Sequence, residues 1–465
     1  MIGDIISDIS NYLYSYVLII ILVGGGIYFT FGTKFAQFRL FGEQLRAVME
    51  KPGEDGGVSS FQALMVSTAS RVGTGNIIGV STALCLGGFG SVFWMWLIAI
   101  LGGASAFVES TLAQIYKRKG TNESFGGPAY YIEATLHSRP LAVVFSIFLI
   151  LTYGFGFNML ASYNLQSTFS QYSFYNENSP WIIGLILALV VGYCLFGGGA
   201  RVIKVTSWLV PVMGVAYIAV AVIIIVMNIN TLPGVFARIF SEAFDVKAIF
   251  GGFGGSCVMY GIKRGLFSNE AGVGSAPNAS ASADVSHPAK QGLVQVLSVF
   301  IDTILVCSAT AFMCMCSGVE PSAEISGAPY IQMSLGATLG SFGPVFITLA
   351  MILFAFTTLL GNLYYVDRAL VFLLKREPGK VFMKIYHIAA SLVIFIGAGL
   401  SADLLWDIAD ITMGGMAIIN MPVILYLGKY AIRALNDYDK QRKAGKIPVF
   451  HVKDIDLPHE VDYWK

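Results

Sequence analysis

Apolar residues along this chain gather into runs of about twenty, the length a helix needs to cross roughly 30 Å of hydrocarbon. Windows of that size predict eleven helices, near residues 12–33, 59–88, 91–116, 141–169, 180–197, 205–227, 246–263, 291–316, 343–374, 384–400 and 403–428. A membrane barrel would instead show alternating strands of about ten residues, so the pattern predicts an all-α protein. Two windows are interrupted by small residues near their middles. The second carries Ser70-Arg71-Val72-Gly73-Thr74-Gly75-Asn76, and the seventh carries Gly251-Gly252-Phe253-Gly254-Gly255-Ser256. Glycine costs a helix about 1 kcal/mol relative to alanine. Irregular backbone at membrane depth persists only where it meets protein or a wet cavity. Close packing of helices on glycine is the competing explanation.

Composition agrees with lipid as the main solvent. Of 465 residues, 55% are hydrophobic and only 12% charged, against about 25% charged in ordinary soluble domains. The 29 basic and 28 acidic residues leave no basic footprint for nucleic acid. The six cysteines all lie in apolar runs and read as small hydrophobes. Cys314-x-Cys316 lacks the further ligands a zinc site needs. Asp4 and Asp8, with no basic start, argue against a cleavable signal peptide.

The basic residues orient the spans. With the N-terminus outside and the C-terminus inside, all but three of the 29 Lys and Arg fall on the inner side. The exceptions are Arg238 and Lys247 outside and Arg71 within a span, and Lys263 and Arg264 count with the inner set. That asymmetry is the positive-inside signature. The two breaks then acquire a relation. Each opens a set of five spans, and because five is odd the second set enters the membrane from the opposite side. This is the pattern of an inverted repeat whose broken helices meet at the midplane. The expected organisation is an extra helix at 12–33, a first repeat at 59–228, a second at 246–428 and a cytoplasmic tail at 429–465. Half-helix N-termini offer N–H groups to a carboxylate, and unwound carbonyls offer oxygens to a cation. The chemistry expected is an amino acid with Na⁺ or H⁺.

The residues at the breaks also resemble a known family. Gly73-Thr74-Gly75-Asn76-Ile77-Ile78-Gly79-Val80, followed by Gly87-Gly88-Phe89-Gly90-Ser91-Val92-Phe93-Trp94-Met95-Trp96, resembles the alanine or glycine:cation symporter family. Lys263-Arg264-Gly265-Leu266-Phe267-Ser268-Asn269-Glu270-Ala271-Gly272, with Gly274-Ser275-Ala276-Pro277, is similar to its second long motif, and the likeness runs from about residue 15 to 435. The resemblance implies a leucine-transporter-like fold with one extra leading helix. It also implies sodium-coupled uptake of small neutral amino acids, L or D, across a cell membrane, with no cofactor beyond the coupling ion. A monomer suffices for that reading.

Candidate site residues follow. Gly73, Thr74, Gly75 and Asn76 in the first break, and Gly251, Gly252, Gly254 and Gly255 in the second, are expected at the substrate. The Asn76 amide would hold a carboxylate or order the unwound turn. The fold implied by the resemblance puts two hydroxyls, here Thr357 and Thr358, on a sodium ion with backbone near Val72 and Gly73. Without it, hydroxyls in membrane helices most often bond to their own helix. Charges within spans are functional candidates, which selects Arg71, Glu109 and Asp302, the last as a proton relay. Asp367, Asp407 and Asp410 lie nearer span ends and are expected to be solvated. Segment 265–288, rich in Gly, Ala and Ser, is expected to be a gate-lining loop with a short surface helix. In the resembled family the amino-acid pocket is also lined from the fourth and ninth spans. Where many members have glutamine, this chain has Ala161 beside Ser162, and where some have tryptophan it has Asn362. Those departures predict a site that admits serine or glutamine beside alanine and glycine.

The five histidines are scattered and form no catalytic set, and no phosphate-binding glycine loop with a following lysine is present. The reading is therefore a secondary symporter and not an enzyme. Proton coupling and an ion channel are the alternatives.

Overall fold

The structure, a computed structural model, describes residues 2–52, 57–120, 123–245 and 256–464. Its principal helices in chain order are α1 (Ile6–Gly32), α2 (Ser60–Arg71), α3 (Gly75–Gly87), α4 (Gly90–Ile115), α5 (Pro128–Leu136), α6 (Arg139–Ser167) and α7 (Ser179–Leu195). They continue as α8 (Gly198–Met227), α9 (Cys257–Asn269), α10 (Pro288–Met315), α11 (Phe342–Leu374), α12 (Lys380–Ala398) and α13 (Ala402–Lys443). Among the described residues, eight are long and apolar enough to cross a membrane: α1, α4, α6, α8 and α10 to α13. The other three expected windows overlap shorter helices: 180–197 α7, 59–88 the pair α2/α3, and 246–263 the start of α9. Residues 246–255, including Gly251, Gly252, Gly254 and Gly255, lie outside the described residues.

The helices fall into two packed groups with the broken helix between them. In one, α4 runs along α9 and α10. In the other, α12 packs on α6 and α7, and α11 packs on α6. α2 touches α8 and α11, while α3 packs on α9. A ladder of polar side chains holds α2 to α10. Gln291 Nε2 donates to Ser60 Oγ (2.9 Å), Gln295 Nε2 to Ser67 Oγ (3.0 Å), and Thr68 and Ser298 share a hydrogen bond of 3.1 Å. These residues recur at helical spacing on facing stripes, and interhelical hydrogen bonds replace the hydrophobic drive that lipid cannot supply. α2 begins with a capping box, Ser59 and Gln62 each satisfying the other's backbone N–H.

Three placements differ from the sequence expectation. Lys263 and Arg264 are not in an inner loop: α9 continues to Asn269 and carries both in its buried interior. Asp410 is buried as well, two turns into α13, where it receives Lys263 Nζ at 2.9 Å and Arg264 Nη1 at 3.5 Å. A charge pair costs less when its members leave water together, so the three residues account for one another's depth. Asp367 is likewise buried. Finally, the short helix Pro277–Ser280 of the Gly/Ala/Ser segment is not on the surface. Val58 and Ala283 bridge as two single strand residues beside it, and the chain after α13 covers the next stretch of the segment at Asp284 and Ser286.

That covering is specific. α13 runs on to Lys443, and the tail then folds back. Phe450 N–H donates to Ser286 O (2.9 Å), Ser286 Oγ donates to Pro448 O (2.7 Å), and Trp464 Nε1 donates to Gln114 O (2.7 Å). Beneath it Lys117 Nζ donates to Ala283 O (2.9 Å) and lies 3.8 Å from the centre of the Tyr463 ring. Burial lowers the Lys117 ammonium from the usual lysine range to about 7.

Candidate functional site

α2 stops at Val72 because Val72 leaves helical geometry (φ −74°, ψ 85°), and the helix resumes at Thr74 and Gly75 with a widened π-type turn through Gly79. Asn76 orders this break. Its Oδ1 accepts the Gly73 N–H (2.8 Å), while its Nδ2 donates to Asp302 Oδ1 (2.6 Å) and Ser268 Oγ (3.0 Å). Both ends of the amide are thus engaged by protein. Asp302 lies in a second π-type stretch, Phe300–Cys307 of α10, and also accepts from Ser268 Oγ (2.7 Å) and Thr303 Oγ1 (2.8 Å). π-type turns widen the helix and recur at functional sites. Here two of them face each other through Asn76 and Asp302.

Beside the break is a small cavity of about 10 Å³, no larger than one water-sized sphere, lined by Ser70, Arg71, Gly73, Thr74, Gly75, Phe157, Phe267, Glu270 and Thr358. The Thr358 hydroxyl is buried and makes no hydrogen bond among the described residues. A methyl built on Gly73 would overlap it, so glycine is required there by close approach. Thr357 points elsewhere: its hydroxyl donates to Leu353 O (3.0 Å) and Phe354 O (3.1 Å) of its own helix. Gly361, one turn on, lets α11 approach the α2 backbone, since a Cβ there would stand 2.6 Å from Ser70 N. We expect Gly73→Ala to abolish uptake while the protein still reaches the membrane. Retained uptake would remove the Gly73–Thr358 contact from the mechanism.

Arg71 is buried, and Nη1 donates to Gln295 Oε1 (2.9 Å), while Nε and Nη2 have no partner among the described residues. Glu270, opposite it in the lining, caps α9 in the left-handed region (φ 53°), a place usually given to glycine. Its carboxylate accepts from Ser275 Oγ (2.6 Å) and Ser70 Oγ (3.4 Å). Phe267 closes the cavity, with Phe157 at 4.5 Å and Trp406 at 4.8 Å between ring centres, and the Arg264 guanidinium lies 3.8 Å over Trp406. The aromatic cover thus leads directly to the Lys263–Arg264–Asp410 cluster.

The remaining expected residues divide. Thr74 is tied to α6 by Asn164 Nδ2 (3.2 Å). Asn362 does not line the small cavity. It stands behind Ser70, accepting the Ser70 hydroxyl (2.6 Å) and donating to Asn158 Oδ1 (2.9 Å). Ala161 and Ser162 are buried on α6, the Ser162 hydroxyl without a partner among the described residues. Glu109 is not brought to the break. It accepts from Asn420 Nδ2 (3.0 Å) and Gly272 N–H (3.4 Å), pinning the turn after α9 to α13. Phe157 and Trp406 were not singled out from the sequence. Aromatics inside apolar windows carry no mark that separates a cavity wall from ordinary packing.

Comparison with known proteins gives this arrangement a context. The chain is 42% identical to the amino-acid carrier protein AlsT of Bacillus subtilis, covering all of this chain and 98% of that protein. It is also 42% identical to the probable sodium/glutamine symporter GlnT of the same organism (99% and 95% covered). Against the sodium/alanine symporter AgcS of Methanococcus maripaludis the identity is 34% (95% and 98% covered). Among solved structures, MhsT in complex with L-phenylalanine superposes with a TM-score of 0.55 at 17% identity, covering 83% of this chain and 96% of that one. The fold is therefore the leucine-transporter-like one. The sodium:alanine symporter family matches residues 1–452, and with relatives this similar along their whole lengths the chain belongs to that family of multi-pass membrane transporters.

Proposed function

We propose that the chain is a sodium-coupled symporter that imports small neutral amino acids by alternating access. The observation that carries this reading is the unpartnered, buried Thr358 hydroxyl set against the unwound Val72–Gly73 backbone. A hard cation such as sodium takes neutral oxygens of this kind, and Thr358 with the carbonyls near Val72 and Gly73 would provide them. Thr357 would join only by turning its hydroxyl away from its own helix. Thr74 and Gly75, where the helix resumes, line the same cavity, and the N–H groups of such a helix start suit a substrate carboxylate. The cavity is narrowed, so binding must be accompanied by separation of the two helix groups that flank the break. The proposed orientation is the one read from the charges, N-terminus out and C-terminus in, now without Lys263 and Arg264 in the inner set. The repeats are 59–228 and 246–428, between the leading helix 12–33 and the tail 429–465.

Alanine and glycine are the proposed substrates, with serine and glutamine admitted because the polar Asn362 reaches Ser70 beside the break and Ala161 is small. A relative named as a probable sodium/glutamine symporter supports the wider range. A second reading, coupling to protons, is favoured by Asp302, a buried carboxylate that touches the break through Asn76. Relatives named as sodium/proton-dependent alanine carriers agree with it. Purified protein in sealed vesicles separates the two. Labelled alanine is expected to accumulate on an inward sodium gradient at constant pH, and unlabelled glycine, serine and glutamine to compete. Accumulation driven by a pH gradient without sodium would favour Asp302 as the coupling group.

A further inference from the structure

Two basic clusters in the sequence, Lys117-Arg118-Lys119 after α4 and Lys375-Arg376 after α11, are far apart in the chain and play no part in the transport site. The fold brings members of both to one cleft of about 480 Å³, which Arg139 and the carboxylates Glu133 and Glu377 also line. Arg118, Lys119, Arg139, Lys375 and Arg376 set five cations against two carboxylates, leaving three formal positive charges.

The charges are not equally free. Glu133 is taken by Arg118 (3.2 Å) and Arg139 (3.0 Å). Arg139 is fixed further, since Nη2 donates to Phe372 O (3.0 Å) and Leu373 O (3.3 Å) at the end of α11. The floor is aromatic. Tyr130 packs edge-on to Phe372 at 4.9 Å, and the Arg139 guanidinium lies 4.4 Å over the Phe372 ring. The Tyr130 hydroxyl is an unpartnered donor among the described residues although the side chain is 4% exposed. Lys119, Lys375 and Arg376, at the rim, have no carboxylate within ion-pair distance among the described residues. Lys375 moreover holds a left-handed conformation (φ 55°) at the end of α11, where glycine would fit without strain.

We propose that this cleft binds a phosphate-bearing anion. A carboxylate would use one arginine fork, whereas a phosphate presents oxygens in several directions to separate cations and leaves one for the Tyr130 hydroxyl. The cleft opens where α4 and α11 end, and Val371, Phe372 and Phe125 give it an apolar wall. A lipid headgroup and free phosphate share this chemistry, and basic pockets at the ends of membrane helices are places where anionic headgroups bind. The occupant joins the segment after α4 to the end of α11, one element from each packed group.

The test uses the full chain in detergent and reads the melting temperature. Two probes are titrated at constant ionic strength, phosphatidylglycerol in mixed micelles and inorganic phosphate. The variants are Lys375→Gln with Arg376→Gln, Lys375→Gly alone, and Lys440→Gln with Lys443→Gln as a charge-matched control. Lys375→Gly relieves the left-handed backbone and is expected to melt no lower than the parent without probe, so loss of binding there is not loss of fold. Wild type and control are expected to be stabilised by at least one of the probes. The Lys375/Arg376 variant should need about thirtyfold more of it, at about 1 kcal/mol per basic side chain, and Lys375→Gly about fivefold more. Stabilisation by the lipid alone identifies a headgroup, and stabilisation by both identifies phosphate itself. Equal affinity in all variants, equal loss in the control, or no stabilisation by either probe overturns the proposal.

Discussion

Thr358→Val is expected to raise the sodium concentration for half-maximal alanine uptake by roughly ten- to a hundredfold, while alanine affinity at saturating sodium changes little. Valine keeps the branched shape of threonine and removes only the hydroxyl oxygen. That oxygen has no competing partner among the described residues, so its loss is not offset elsewhere. Even groups one shell out from a metal change affinity by about ten- to a hundredfold when removed, and a direct oxygen should matter no less. Thr358→Ser restores the oxygen and should recover most of the affinity. Thr357→Val tests the neighbour: its hydroxyl is spent on its own helix, so a small effect is expected. Sodium dependence unmoved by Thr358→Val would place the ion away from α11.

Asp410→Asn is expected to destabilise the protein by about 3–5 kcal/mol, the usual cost of leaving a buried charge without its partner. The cost arises because Lys263 and Arg264 both remain inside α9, buried, facing a neutral amide. The melting temperature of the purified protein would fall sharply, or little protein would reach the membrane. Combining Asp410→Asn with Lys263→Met removes one of the stranded cations and should recover part of the loss. A single variant as stable as the parent would mean that water reaches the cluster.

The case of Lys263 and Arg264 marks where sequence reading stops. Helix positions came from the length of apolar runs, and the break from glycines that a lipid-facing helix does not tolerate; both are local signals. A basic pair at the end of an apolar window looks the same whether it meets water or an aspartate 146 residues later in the chain, so loop charge was assigned to what is buried charge. Thr357 and Thr358 show a second limit. Neighbours on an α-helix point about 100° apart, so one of two adjacent hydroxyls faces the break and the other its own helix. Only the packing of α11 against α2 decides which. Glu270 was visible as an acidic residue among small ones, yet its place opposite Arg71 depends on a left-handed turn that no residue type there announces.

The folded-back tail bears on how the molecule is made. Phe450 and Trp464 close over Ser286, Gln114 and Lys117, residues synthesised well before them. The helices through α13 are therefore all synthesised before Phe450 and Trp464, the residues that cover Lys117. Helix formation and closure become separate steps in time, and a nascent chain halted after Lys443 and before Phe450 carries all of these helices without the segment that closes over Lys117.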